Sequence, residues 1–145
     1  MCAVTQLPQL QQIIKEYPGV IVDFWGAHCP PCLRIKPTFE AAAQANNNPN
    51  LVFVAVNTKE GQQCAQAFNV TGIPNFIAFL NGNQYKNFKG ANEQMLFATI
   101  GELAEKIPKG TVTAKTHDQI AFKLFKPTSM APSLYNTMAN VDKMK

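Results

Sequence analysis

Cysteine, charge and long apolar runs are all scarce in this chain, and each scarcity excludes something. Four cysteines in 145 residues, Cys2, Cys29, Cys32 and Cys64, are too few and too unevenly spaced for the framework of a small disulfide-stapled secreted domain. No apolar stretch approaches the roughly 20 residues a membrane-crossing helix requires, so no membrane span is expected. The first residues, Met1 to Leu7, lack the basic and long apolar regions of a signal peptide. Charged residues are only 15% of the chain, and the net charge of +4 is unevenly placed. Seven basic and seven acidic residues cancel through residue 107; six Lys and two Asp beyond it carry the whole excess. Basic charge spread so thinly is a weak footprint for a polyanion, and no nucleic-acid partner is expected. What remains is a soluble protein of a reducing compartment, the cytoplasm, long enough for one well-formed core.

The pattern of what is present predicts an α/β fold. Leu7, Leu10, Ile13, Ile14 and Tyr17 recur at helical spacing until Pro18-Gly19. Val20 to Trp25 is a short apolar run broken only by Asp23, as in a strand covered on both faces. Cys29 to about Asn46 reads as a helix with Pro37 inside it, where a lost N–H should kink it. Leu51 to Val56 is a second buried strand and Glu60 to Phe68 a short helix. Asn75 to Leu80 and Asn83 to Lys89 flank Asn81-Gly82, the strongest short hairpin signal. Asn92 is placed to cap a last helix running to Ile107, with Met95, Leu96, Ile100, Leu103 and Ile107 inward. Strand–helix alternation followed by a hairpin and a helix implies a mixed sheet, parallel in the middle, with helices on both faces.

The chain divides into residues 1–107 and a basic extension, 108–145, starting at Pro108-Lys109-Gly110. In the extension Ile120, Phe122 and Leu124 alternate as on a strand, and Leu134, Met138 and Val141 share a helical stripe. The extension either packs on the domain or begins something longer.

The chemistry concentrates at Cys29-Pro30-Pro31-Cys32, between a buried strand and a helix. Two thiols so spaced can meet if the first opens the helix, and the helix N-terminus stabilises a thiolate. Asp23 lies mid-strand nearby, where desolvation would raise its pKa and fit it for proton exchange near neutrality. A core carboxylate with hydrogen-bond partners is the plainer reading of Asp23. Cys64 is expected buried and inert, Cys2 exposed, and His117 a surface residue.

Taken in order, Val22-Asp23-Phe24-Trp25, Cys29-x-x-Cys32, Pro37, Gly72-Ile73-Pro74, Asn81-Gly82 and Gly90 resemble the thioredoxin family over about residues 3 to 107. No internal repeat is present, so the chain resembles a single such module. The resemblance implies the thioredoxin fold, a central mixed sheet of four to five strands with helices on both faces. It implies that Cys29 is the nucleophile, Cys32 the resolving thiol and Asp23 the proton acceptor, and that Pro74 is cis and faces the cysteines. Trp25, His28, Pro30, Pro31, Ile73, Pro74, Gly90 and Ala91 would border a substrate groove. No cofactor or metal would be bound; the redox group is the Cys29–Cys32 disulfide itself. Protein disulfides would be the substrates, and a thioredoxin reductase-like flavoprotein fed by NADPH the electron donor, serving electron transport and cell redox homeostasis.

Two departures from the family pattern matter. His28-Cys29-Pro30-Pro31-Cys32 stands where Trp-Cys-Gly-Pro-Cys is usual. The prolines remove two N–H groups from the helix start, which should raise the Cys29 pKa and make a stronger reductant. A protonated His28 would oppose that effect; an exposed imidazole of little influence is the alternative. Ala55 stands where some members carry a buried Lys, so Asp23 is expected to lack a charged neighbour. Two other functions compete with disulfide reduction: a protein-interaction module docked by the extension, for which two cysteines are needless, and a metal bridge between two chains, for which His28 and Cys64 supply the missing ligands poorly.

Overall fold

The computed structural model describes residues 1–109; the strand and helix patterns of the extension, and His117, lie outside the described residues. The chain runs β1 (Cys2–Ala3), α1 (Leu7–Glu16), β2 (Gly19–Trp25), α2 (Pro30–Ala45), β3 (Leu51–Asn57), α3 (Gln62–Ala67), β4 (Asn75–Leu80), β5 (Asn83–Lys89) and α4 (Glu93–Lys106). The sheet order is β1-β3-β2-β4-β5. Strands β1, β3 and β2 are parallel, while β4 is antiparallel to both β2 and β5.

The parallel pairing thus runs from the β1 edge to the central strand, β2, where the direction changes. Helix length accounts for this. The 16 residues of α2 extend about 24 Å, enough to return the chain along a strand of seven residues. The six residues of α3 extend only about 9 Å, so β4 starts near the end where β3 stops.

Side-chain alternation divides the core into two layers. Val20, Val22 and Phe24 pack with Val52, Val54 and Val56 against Leu10, Ile13 and Ile14 of α1 and Cys64 of α3. On the other face Ile21, Leu51, Phe53, Phe76 and Ala78 meet Ile35, Phe39 and Ala43 of α2 and Leu96 and Leu103 of α4. Residues 21, 23 and 25 share a parity, so Asp23 looks toward α2.

Local signals are used as the residues imply. Asn81 and Gly82 both have positive φ, 53° and 86°, the turn a two-residue hairpin demands. The Asn92 side chain accepts the Met95 N–H at 3.0 Å and caps α4. Replacing it with Ala should cost about 1 kcal/mol, or roughly a 5 °C fall in Tm by calorimetry, with no change at the cysteines.

Two expectations need correction. Met95 is exposed; Leu96, Thr99 and Leu103 are the buried residues of α4, a stripe at helical spacing with Met95 at its edge. Cys2 is fully buried. It pairs opposite Val54 in β1, a strand too short to leave a periodic signal, and burial pushes its thiol up to about 12. Just past the end of α4, the buried Asn50 amide donates to the Pro108 carbonyl at 3.0 Å. Helix α2, meanwhile, continues through Pro37 to Ala45.

Candidate active site

Proline builds the start of α2. Pro30 and Pro31 occupy its first two positions, where a missing N–H breaks no helical bond and the ring sets the required φ. Cys29 is the N-cap, and the Cys32 N–H points at its Sγ from 3.2 Å. That is the first donor the two prolines leave available to a Cys29 thiolate.

Cys29 and Cys32 form a disulfide with Cα atoms 5.2 Å apart. The two sulfurs differ in access: Cys29 is half-buried at the surface, whereas Cys32 is 1% exposed. Asp23 lies beneath, 3% exposed, with one carboxylate oxygen buried and without a hydrogen-bond partner. The residues opposite it in the sheet are Ala55 and Phe76, neither of which has a polar side chain to offer. Burial pushes Asp23 up to about 7.

Asp23 does have charged neighbours, contrary to expectation. Lys36 pulls its pKa down and Glu40 pushes it up, both from α2. Reading along the strands missed them because they face Asp23 from another element. The spacing Cys32, Lys36, Glu40, four residues each, was the available signal. Asp23, Cys32, Lys36 and Glu40, with Trp25 and Phe39, line one cavity of about 170 Å³.

The second wall is the loop before β4. The Ile73-Pro74 bond is cis, as the resemblance implies. The Ile73 carbonyl oxygen is 3.7 Å from Cys29 Sγ, where a thiol S–H would find an acceptor. Gly90, with φ of 96°, donates its N–H to the Pro74 carbonyl at 2.8 Å and ties the Gly90-Ala91 segment to this loop. Gly26 was overlooked: a Cβ there would lie 2.8 Å from the Ile73 side chain, and its carbonyl accepts the Cys29 N–H at 3.3 Å. Trp25, Pro31, Ile73, Gly90 and Ala91 are half-buried, His28 and Pro30 exposed and Pro74 buried. The loops that carry Cys29, Ile73-Pro74 and Gly90 are thus brought together around the disulfide.

The other two cysteines, Cys2 and Cys64, are free and buried. Among the described residues no three His, Cys, Asp or Glu side chains gather as a metal site, and no helix is long and apolar enough to cross a membrane.

The Thioredoxin family profile matches residues 2–102. A thioredoxin of Mycoplasma genitalium is 37% identical over 87 residues, covering 60% of this chain and 83% of that protein. The solved thioredoxin of Fasciola hepatica superposes with a TM-score of 0.66 at 31% identity, covering 70% of this chain and 98% of that one. The chain is also similar to a peptide-N(4)-(N-acetyl-beta-glucosaminyl)asparagine amidase of Caenorhabditis briggsae, 29% identical over 119 residues; the match covers 80% of this chain but only 19% of that protein's length.

Proposed function

This chain belongs to the thioredoxin family and is a thiol–disulfide oxidoreductase, and we propose that Cys29 is its nucleophile, Cys32 its resolving thiol and Asp23 the proton acceptor for Cys32. The observation that supports this division is the unequal access of two bonded sulfurs above a buried carboxylate with one unpartnered oxygen.

In the dithiol form, the Cys29 thiolate attacks one sulfur of a substrate disulfide. The substrate S–S bond breaks, and the departing sulfur takes a proton from solvent. Cys32 then gives its thiol proton to the Asp23 carboxylate and attacks Cys29 Sγ. The mixed disulfide breaks, the second substrate sulfur leaves as a thiolate, and it too is protonated. The substrate gains two electrons and the Cys29–Cys32 pair loses two. Trp25, His28, Pro30, Pro31, Ile73, Pro74, Gly90 and Ala91 form the groove that holds an extended substrate segment across Cys29.

The cycle closes when a thioredoxin reductase-like flavoprotein, fed by NADPH, returns the two electrons. On this reading the protein works in the cytoplasm, where Cys2 and Cys64 stay reduced, and maintains protein thiols. Residues beyond Pro108 are an appendage to the chemistry.

Insulin reduction coupled to NADPH and a thioredoxin reductase tests the scheme. NADPH consumption should require this chain, and a version ending at Lys109 should keep its turnover within about twofold. No insulin reduction with either the reductase or dithiothreitol as donor would sink the reading.

A further inference from the structure

We propose that Lys36 is a positioning residue for the deprotonation of Cys32, its ammonium held between Trp25 and Glu40 at the cavity shared by Asp23 and Cys32. The inference deepens the reading above and rests on Asp23 as the proton acceptor.

The residues directly opposite Asp23 in the sheet are both apolar. Ala55 and Phe76 flank it, and one of its oxygens is buried without a partner. A carboxylate so placed stays protonated unless another element supplies charge or water, and a protonated Asp23 cannot accept the Cys32 proton. Of the two helices on this face, α2 is the one that lines the Asp23 cavity. Cys32, Lys36 and Glu40 follow one another at intervals of four, so they form one stripe along the helix. All three line the same cavity as Asp23, about 170 Å³, large enough for several waters. The other titratable groups on that cavity are Glu60, beyond β3, and the α-amino group of Met1.

Lys36 is held in place from two sides. Its Nζ lies 4.6 Å from the centre of the Trp25 ring and 3.9 Å from Glu40 Oε2. A cation over an indole face and an i,i+4 ion pair each confine a side chain that would otherwise swing in solvent. Trp25 thus has a role besides bordering the groove: it restrains the cation.

The charge balance of the step explains why such a cation matters. Before the transfer one negative charge lies on Asp23; afterwards Asp23 is neutral and the charge is on the Cys32 sulfur. Lys36 lines the cavity on which both groups lie, so its charge stabilises the competent carboxylate first and the nascent thiolate next. Glu40 opposes it at both stages. The opposite directions in which the two residues move Asp23 agree with this arrangement.

The test uses the full chain with Lys36→Gln, Lys36→Arg and Glu40→Gln. The Asp23 carboxyl is titrated by ¹³C NMR in the oxidised protein, and the reduced protein's single-turnover reduction of a labelled disulfide peptide is followed against pH. Lys36→Gln should move the Asp23 midpoint upward and slow turnover about three- to tenfold near neutral pH, with the loss closing at alkaline pH. Glu40→Gln should move the midpoint downward, and Lys36→Arg should keep the wild-type profile. Because both side chains are half-exposed, added salt should shrink the differences. Wild-type turnover with an Asp23 titration unmoved in Lys36→Gln overturns the role of Lys36 and leaves Cys29 and Cys32 in theirs. Shifts of the same sign in Lys36→Gln and Glu40→Gln also overturn it, since loss of packing and not charge would be the cause. A wild type without turnover overturns both readings.

Discussion

Cys29→Ser should abolish insulin reduction, by roughly 10³-fold or more, whereas Cys32→Ser should halt one step later and accumulate a covalent complex. The asymmetry follows from access. The reachable sulfur is that of Cys29, and Cys32 is 1% exposed. A serine hydroxyl at position 29 does not ionise near neutral pH and forms no mixed disulfide. With Ser at position 32 the first attack proceeds, but nothing nearby displaces the bound substrate: Cys2 and Cys64 are both buried among apolar residues. Non-reducing electrophoresis and intact-mass measurement should show a one-to-one adduct on Cys29 that dithiothreitol releases. Turnover surviving in Cys29→Ser, or an adduct carried by Cys64, would remove the assigned nucleophile.

Asp23→Asn should stabilise the oxidised protein at pH 8 and slow its catalysis. The sign comes from proton linkage. Folding takes the Asp23 carboxyl from an ordinary value of about 3.9 to about 7. Between those values the folded state binds more protons than the unfolded chain, so stability falls as pH rises. The loss begins above the unfolded value and is complete once pH passes the folded one, totalling on the order of 4 kcal/mol. Asn carries no such penalty. Urea unfolding should therefore give similar stabilities for the two proteins near pH 4 and a variant more stable by about that amount at pH 8. Turnover at neutral pH should drop about 10²-fold, because an amide accepts no proton from Cys32, and should recover partly in alkali. Equal pH dependence of stability in the two proteins would mean that Asp23 reaches water in the fold, and its place as proton acceptor would go.

Local chemistry made much of this molecule readable in advance. Pro18-Gly19 closes the first helix region, Asn81-Gly82 turns the hairpin, Asn92 caps α4, and the continuous apolar runs at Val20 and Leu51 become the two central parallel strands. Each signal acts through a residue's own backbone preference or through neighbours a few positions away, which is why it survives without knowledge of the rest of the fold. Cys29-Pro30-Pro31-Cys32 belongs to the same class, since a helix start is a local event. Cys2 shows the limit: two residues carry no period, and only the edge of β3 makes them a strand.

The order of residues by itself determined where the thiols are, that they open a helix, and that an aspartate interrupts the strand beneath. Tertiary structure alone decided which charges surround that aspartate. Ala55 beside it correctly signals that β3 sends no cation, yet Lys36 and Glu40 arrive from the overlying helix. Electrostatic and packing forces act through space, between elements whose relative placement is set by the whole core, and so the environment of Asp23 exists only once α2 lies across the sheet.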